Sequence, residues 1–217
     1  ALARMNHPGI ATVYDAGTDA DGQPFLVMEF VDGASITEHC RAGRPGLEAL
    51  LELFAKVCDA IEHAHQRGVL HRDLKPANVL VTRHGTDVQP KVIDFGIAKA
   101  ALRGGQTEVG VIKGKYYYMS PEQAWGDPVD PRTDIFATGL LLHELLTGEM
   151  VYQEDNVPAL LDRVRKAEVP SPRKKRREIP EELAQIVLKA CAKEPEDRFQ
   201  NAIDMSQALS DLLYRTN

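Results

Sequence analysis

The stretch His71-Arg72-Asp73-Leu74-Lys75-Pro76-Ala77-Asn78 decides how this sequence is interpreted, together with Asp94-Phe95-Gly96, which begins sixteen residues after it. The first stretch follows a run of helical periodicity and precedes a short apolar strand, Val79 to Val81. The second follows another apolar strand, Lys91 to Ile93. The pattern therefore predicts two loops, each at the end of a regular element.

The polar residues of these loops have the chemistry that phosphoryl transfer needs. That reaction requires a carboxylate to orient the attacking hydroxyl, a cation on the moving phosphoryl group, and oxygen ligands for magnesium. Four residues supply these groups: Asp73, Lys75, Asn78 and Asp94. An Asp-Phe-Gly by itself is usually a turn, because Asp and Gly are turn formers, but its spacing from the first loop weakens that alternative.

The two loops resemble the catalytic loop and the magnesium-binding loop of protein kinases, and most closely those of the eukaryotic-like serine/threonine kinases of bacteria. The resemblance implies transfer of the γ-phosphate of ATP to serine or threonine hydroxyls of protein substrates, with ATP and Mg²⁺ as cofactors. It implies that Asp73 is the catalytic base and that Lys75 steadies the γ-phosphate. Asn78 and Asp94 would hold magnesium and thereby help to bind the nucleotide.

The resemblance covers essentially all 217 residues. Met28, Glu29 and Val31 match the gatekeeper and the hinge, whose backbone groups bind adenine in the family. Leu80 would lie under the adenine ring. The resemblance therefore implies that the nucleotide site includes residues far from the catalytic loop in sequence.

The family pattern also implies structural partners around the catalytic loop. Ser120-Pro121-Glu122 matches the end of the activation segment, and Arg198 matches the arginine that pairs with this glutamate. Asp134 matches the aspartate that braces the catalytic loop. These matches predict two contacts between residues that are distant in sequence.

The resemblance also implies regulation by phosphorylation. Arg72 precedes the catalytic aspartate, and in the family this arginine pairs with a phosphate on the activation loop. Thr107 is the only threonine between Asp94 and Glu122, so we expect it to be the activating site. Ser120 or one of the neighbouring tyrosines is the alternative.

The predicted fold is an α+β, protein-kinase-like fold: a mainly α-helical C-lobe with a small β remnant of the N-lobe. Residues 1–31 are expected to form the N-lobe remnant and the hinge. Residues 32–217 are expected to form the C-lobe, with the catalytic loop at 71–78 and the activation segment at 94–122. Apolar spacing predicts strands and helices in the following ranges: Ala11–Tyr14, Phe25–Phe30, Leu50–Gly68, Ile135–Leu146, Leu183–Ala190 and Met205–Leu212.

Composition narrows the possible partners and location. The net charge of −6 disfavours a general nucleic-acid binder, and the basic run Arg173–Arg177 is typical of a solvated loop. No apolar stretch has the length of a membrane helix, and no signal peptide is visible, which favours a cytoplasmic protein. Three widely spaced cysteines fit a reducing compartment. The histidines at 63, 65 and 71 are expected to be ordinary helix-surface and loop residues, not a metal site.

Two features depart from the family pattern. Lys115 follows Gly114 where many serine/threonine kinases have a threonine that bonds the catalytic aspartate and lysine, although some bacterial-type relatives share the lysine. No Gly-rich loop, strand lysine or paired helix glutamate is found, and Ala1 to Pro8 resembles the exit of that helix. We therefore expect these 217 residues alone to be inactive, with the N-terminal strands frayed or self-associated.

Two other functions remain as alternatives. A pseudokinase or docking scaffold would keep the lobe without catalysis, but it would not need all four polar residues of the two loops. A nucleic-acid-binding module acting through Arg173–Arg177 is disfavoured by the acidic balance of the chain. The residues of the two loops therefore favour a protein kinase over both alternatives.

Overall fold

A small β region precedes a helical body in the computed structural model, which describes residues 5–85, 87–95 and 116–216. The strands are β1 (Val13–Thr18), β2 (Pro24–Met28), β3 (Ala34–Ser35), β4 (Val79–His84) and β5 (Asp87–Val92). The helices are α1 (Ile36–Gly43), α2 (Leu47–His65), α3 (Pro121–Trp125), α4 (Pro131–Thr147), α5 (Val157–Lys166), α6 (Glu181–Ala190) and α7 (Ala202–Thr216). Single 3₁₀ turns lie at Pro76–Asn78, Pro172–Lys174 and Pro195–Asp197.

The strands form two antiparallel sheets. β1 and β2 pair as a hairpin, while β3, β4 and β5 form a second sheet in that order. The hairpin turn is stabilised by Asp19, whose carboxylate accepts hydrogen bonds from the backbone N–H groups of Asp21 and Gln23. The chain just before β1 lies beside β5, because Ala11 N–H donates to the carbonyl of Val92 at 3.0 Å. The two strands predicted at the N-terminal end are thus present, although β1 begins at Val13 and extends to Thr18.

The hairpin leaves large apolar side chains in solvent. Phe25 and Val27 are each 45% exposed, and Phe30, which follows β2, is 88% exposed. This apolar surface lies on the strands for which the sequence predicts self-association. Self-association through these strands remains a prediction.

Helix α4 runs through the middle of the helical body and is buried on nearly all sides. Its first turn is fixed by Asp130, whose side chain accepts a hydrogen bond from Arg132 N–H at 2.8 Å, and by Pro131, whose ring sets the helical φ angle. Gly148 ends the helix in the left-handed conformation, with φ of 79°. The start signals at Asp130 and Pro131 place Asp134 on the first turn of the helix.

Helices α2 and α7 pack together and are joined by polar contacts. The Glu62 carboxylate accepts a hydrogen bond at 3.0 Å from Ala202 N–H at the start of α7. An acidic group at that position is favoured by the helix dipole as well as by the hydrogen bond. Around these helices the core is apolar, with fully buried members that include Phe54, Ile61 and Leu209.

Several element boundaries differ from the sequence prediction, most clearly those of α2 and β5. Helix α2 ends at His65, and Gly68 lies in the turn that follows, with φ of 72°, so the glycine is displaced from the helix end that we expected. Strand β5 begins at Asp87, before the predicted start at Lys91. Pro90 lowers the strand propensity of residues 87–90, which precede the predicted start. Proline is tolerated there because β5 is an edge strand. Over the described residues, no helix combines the length and the apolar character needed to span a membrane.

Candidate active site

The two loops singled out in the sequence meet at Ile93. The His71 ring donates a hydrogen bond from Nε2 to the Ile93 carbonyl at 2.9 Å. Ile93 N–H donates to the carbonyl of Asn78 at 2.9 Å. Both backbone groups of Ile93 are therefore bound to the first loop, and Asp94, the next residue, is held beside it.

His71 is fully buried and organises its own loop. Its Nδ1 accepts a hydrogen bond from Asp73 N–H at 3.3 Å, while its Nε2 donates to a carbonyl, so these contacts select the neutral tautomer with the proton on Nε2. The ring lies 4.8 Å from the ring of Phe95, centroid to centroid. One histidine side chain thus contacts residues on both loops.

Asp134, on the first turn of α4, binds the backbone of the first loop. Its carboxylate accepts hydrogen bonds from the backbone N–H groups of His71 at 2.7 Å and Arg72 at 2.8 Å, and it contacts His65 Nε2 at 2.7 Å. Burial would raise the pKa of Asp134, but the hydrogen bond and charge of His65 and the hydrogen bond from Arg72 N–H outweigh it and hold the pKa below its ordinary value. The brace that the sequence predicts is present, and it is charged at neutral pH.

The expectation that the histidines are ordinary helix-surface and loop residues is wrong for two of them. The His65 side chain is only 5% exposed and pairs with Asp134, and His71 is fully buried. Spacing along a helix could not reveal this, because the partner lies 69 residues away in sequence. Within the described ranges, no three His, Cys, Asp or Glu side chains are grouped to hold a metal ion.

The side chains proposed for chemistry lie close together on the first loop. Lys75 Nζ lies 3.6 Å from Asp73 Oδ2. The Asn78 amide donates from Nδ2 to the Asp73 carbonyl at 2.8 Å, and this bond orients the amide so that its oxygen remains as a ligand atom. Asn78 and Asp94 thus offer only oxygen donors, which fits magnesium, an ion usually held by one or two protein oxygens together with substrate phosphates.

Two of the proposed site residues have strained backbones. Arg72 has φ of 63° and Asp94 has φ of 57°, both in the left-handed region that disfavours residues with a Cβ. Such a conformation costs about 1–2 kcal/mol per residue. Strain of this kind persists where surrounding contacts fix the backbone, and it occurs often at functional sites.

The proposed nucleotide residues lie at the end of β2 and on β4. Met28 ends β2, and Glu29 N–H donates to the carbonyl of Thr12 at 2.8 Å. The Glu29 carboxylate forms an ion pair with Lys91 at 2.6 Å, and Lys91 is the partner of Leu80 in the β4–β5 register. Val31 is buried.

Lys91 therefore connects the predicted hinge with the predicted floor of the adenine site. Sequence reasoning missed this residue. Its signal is weak, because a lysine beside Val92 and Ile93 looks like the edge of an apolar strand.

An open cleft of about 580 Å³ lies beside Lys75 and Leu80. Its lining includes Gly33, Lys75, Leu80 and Tyr118. Gly33 has a specific steric role, because a Cβ at this position would lie 2.6 Å from the carbonyl oxygen of Val81. Only glycine lets the chain after β2 approach β4 this closely, which forms one wall of the cleft.

The end of the predicted activation segment is anchored in the helical body. The Arg198 guanidinium donates two hydrogen bonds to the Glu122 carboxylate, at 2.8 and 2.9 Å. Gln123, in helix α3, donates from Nε2 to the carbonyl of Arg72 at 3.0 Å. The expected Glu122–Arg198 contact is therefore present, and α3 is also joined to the first loop.

A model of the protein kinase domain family matches residues 1–211. The chain belongs to the protein kinase family. The kinase domain is 42% identical over 211 residues to a probable serine/threonine-protein kinase of Streptomyces coelicolor, a match that covers 94% of this chain and 31% of that protein. It is 41% identical over 210 residues to the serine/threonine-protein kinase PknB of Mycobacterium leprae, covering 94% of this chain and 33% of that protein.

A more distant relative spans the full chain. The probable serine/threonine-protein kinase PknB of Lactococcus lactis is 35% identical over 218 residues, covering 100% of this chain and 34% of that protein. The kinase domain thus spans about a third of the length of the curated relatives that it matches. The resemblance to bacterial serine/threonine kinases that the two loops indicated is confirmed.

Several predicted features lie outside the described residues. They include Gly96 of the second loop, residues 96–115 of the predicted activation segment with Thr107 and Lys115, and residues 1–4. Their expected roles stay predictions.

Proposed function

We propose that the full-length protein transfers the γ-phosphate of ATP to serine or threonine hydroxyls of protein substrates, and that this kinase domain carries the reaction. The observation that supports this most strongly is the double hydrogen bonding of Ile93 to the first loop. It holds Asp94 beside the loop that carries Asp73, Lys75 and Asn78. A docking scaffold would have no need for this arrangement of charged and amide side chains.

Each side chain has a defined role in the proposed reaction. Asp73 orients the substrate hydroxyl and accepts its proton while the hydroxyl oxygen bonds to the γ-phosphorus and the bond to the β-phosphate oxygen breaks. Lys75, 3.6 Å from that carboxylate, places its positive charge on the transferred group. Asn78 and Asp94 would hold magnesium, which when bound neutralises charge on the phosphate oxygens.

The adenine end of ATP is assigned to the residues around β2 and β4. In this proposal the backbone groups of the segment from Met28 through Glu29 to Val31 bind adenine, and Leu80 packs under the ring. The pair formed by Glu29 and Lys91 fixes the separation of these two walls. ATP would therefore lie between the end of β2 and the catalytic loop.

The finer domain assignment follows from the same proposal. Residues 1–31 belong to the N-lobe and hinge, and residues 32–217 form the C-lobe with the catalytic loop at 71–78 and the activation segment at 94–122. We further propose a cytoplasmic location for the domain. Its three cysteines are free thiols, and Cys58 and Cys191 are buried in the core, which suits a reducing compartment.

The test is Asp73→Asn in the full-length protein, with transfer of labelled γ-phosphate to a generic protein substrate as the readout. Loss of a general base typically lowers the rate by about a hundred- to ten-thousand-fold. Asp127→Asn is the matched control, since it changes an exposed carboxylate outside both loops and should leave the rate unchanged. Turnover at the unmodified rate in Asp73→Asn would remove Asp73 from this role.

A further inference from the structure

A second cavity, of about 580 Å³, lies on a different part of the helical body. It is formed where the end of α1, the start of α2, the end of α4 and the loop before α6 come together. Its lining contains no residue of the catalytic loop and not Asp94. The volume is in the range of small-molecule sites, which are typically about 300–1,000 Å³.

The floor of this cavity is apolar. Leu50, Leu146 and Ile179 are buried side chains that border it, and Leu47 lies at its edge with 39% of its surface exposed. An apolar body placed there would remove further hydrocarbon surface from water. The floor therefore favours a ligand with a hydrophobic portion.

The rim of the cavity is cationic. Arg41, Arg44 and Arg176 line it, against a single carboxylate, Glu178. Arg176 is fixed by hydrogen bonds to the carbonyl of Leu146 at 3.0 Å and to Glu178 at 2.7 Å. A guanidinium has five N–H donors, so Arg176 keeps donors for a ligand.

The other two arginines form no close ion pair with a described residue, although the charge of Arg41 acts on Glu38 and Glu144. Neither Arg41 nor Arg44 forms a salt bridge with any residue in the part of the chain that the structure describes. Arg44 also has a left-handed backbone, with φ of 42°, directly after Gly43, a residue that would adopt it without strain. Arg44 is the C-cap of α1 and its N–H donates to the carbonyl of Cys40 at 2.9 Å, so the end of the helix places this arginine at the edge of the cavity.

We propose that this cavity binds a small amphipathic anion, with Arg41 and Arg44 on a carboxylate or phosphate head group and the apolar floor against its hydrocarbon body. Guanidinium groups bind both head groups through paired hydrogen bonds. A nucleic acid does not fit a small apolar floor in a chain of net charge −6. The site is separate from the proposed kinase reaction and does not depend on it.

Occupancy of the cavity would also affect the open cleft beside Lys75 and Leu80. Arg41 lines both that cleft and this cavity. Burial raises the pKa of Glu144, which lines the cleft, and the positive charge of Arg41 opposes that rise. A head group that draws Arg41 toward the cavity would reduce this effect on Glu144.

Cys40 gives a direct readout of binding, because it borders the cavity while Cys58 and Cys191 are buried. Burial raises the pKa of Cys40 to about 11, so its alkylation by N-ethylmaleimide is slow enough to follow by mass spectrometry. The probes are decanoate, decyl phosphate and decanol. We expect the two anions to slow alkylation about fivefold or more at saturation, and decanol to have little effect.

Two double variants distinguish anion binding in the cavity from non-specific attraction of an anion to positive charge on the protein. Arg41→Gln/Arg44→Gln should weaken decanoate binding about tenfold or more. Lys174→Gln/Arg177→Gln removes the same charge from exposed residues that do not line the cavity, and should leave binding unchanged. Three results would each overturn the proposal. The first is Cys40 alkylation that neither anion slows, and the second is equal protection by decanol. The third is an equal loss of affinity in the two double variants. Kinase activity is not measured, so this result is independent of the proposed function.

Discussion

Arg198 and Glu122 form a two-point ion pair across 76 residues of sequence, with the arginine side chain completely buried. Arg198 also donates to the carbonyls of Ala192, Arg132 and Lys193, so its guanidinium is fully used. Thr133 donates a further hydrogen bond to the same carboxylate at 2.7 Å. The start of α3 is thereby attached to α4 and to the chain that precedes α7.

Replacing Arg198 with methionine should strongly destabilise the domain. The change leaves the Glu122 carboxylate and three backbone carbonyls without their partner, and breaking one side of a buried pair costs about 3–5 kcal/mol. Urea unfolding followed by circular dichroism measures the loss. Arg132→Met is the matched control, because its pair with Asp130 is partly exposed and should contribute no more than about 1 kcal/mol. Equal effects of the two substitutions would contradict the prediction.

The same pair predicts a dependence of stability on pH. Burial would raise the pKa of Glu122, but the hydrogen bonds and charge of Arg198 outweigh it and lower the pKa below its ordinary value of 4.5. A depressed folded-state pKa gives stability that is present above the unfolded pKa and is lost as pH falls through the folded one. We expect the free energy of unfolding to fall more steeply below pH 4.5 in the wild type than in Glu122→Gln. Parallel curves for the two proteins would show that Glu122 does not contribute.

The sequence predicted the family and the brace of the first loop because both depend on residue type at fixed spacing. Asp73, Asn78 and Asp94 can be recognised from the sequence alone. Asp134 lies on the first turn of α4 because Asp130 and Pro131 start that helix. The apolar exposure of the β1–β2 hairpin was also predictable, since two strands cannot cover both of their faces.

Contacts between distant side chains could not be predicted in the same way. The sequence predicted that His65 lies on the surface of its helix. Helix periodicity alone does not reveal that Asp134, which is 69 residues away in sequence, lies beside it. Gly33 and Lys91 carry no motif, and their roles depend on the approach of the chain after β2 to β4 and β5. Such roles arise from the tertiary arrangement and not from local pattern.

Gly139 should be intolerant of even the smallest side chain. A Cβ there would lie 2.5 Å from Cys191 Sγ and 2.8 Å from Ala190 Cβ. Alanine is favoured over glycine within a helix by about 1 kcal/mol, but overpacking a core costs about 1–3 kcal/mol, so we expect Gly139→Ala to lower the melting temperature. Gly43→Ala at the end of α1 meets no atom within 4 Å and should be neutral or stabilising. A raised melting temperature for Gly139→Ala would contradict the close packing of α4 on α6.

Thr107 is the site at which we expect an activating phosphate, and Arg72 is its proposed partner. Arg72 is exposed and forms no salt bridge within the described ranges, so its charge is available. The alternative site, Ser120, is buried, and its hydroxyl caps helix α3 by accepting a hydrogen bond from Gln123 N–H. Phosphopeptide mass spectrometry of the active full-length protein should find the phosphate on Thr107.

Arg72→Ala provides the corresponding functional test. It should remove the difference in rate between the phosphorylated and unphosphorylated proteins, because a charge-assisted partner would be lost. Arg177→Ala, which removes an exposed arginine outside both loops, serves as the matched control. An active protein with Thr107 unmodified would refute this assignment.

The Glu29–Lys91 ion pair should act on ATP binding more than on the chemical step. It joins the proposed hinge to strand β5 at the residue that faces Leu80, so losing it should let the two walls of the adenine site move apart. Burial would raise the pKa of Glu29, but the Lys91 and Thr12 hydrogen bonds outweigh it and lower the pKa, so the pair is ionised at neutral pH. Lys91→Met should therefore raise KM for ATP about fivefold with little change in kcat.

A double-mutant cycle separates the pair from its two members. Glu29→Gln keeps an acceptor for Thr12 N–H, which contacts Glu29 at 3.1 Å, while it removes the charge that binds Lys91. If the pair is the source of the effect, Glu29→Gln/Lys91→Met should bind ATP no worse than Lys91→Met alone, with a coupling of about 1 kcal/mol. Lys56→Met is the control, because Lys56 also contacts β5, through the carbonyl of Val88, away from Leu80. Additive effects on KM, or a fall in kcat at unchanged KM, would show that this pair does not position the nucleotide.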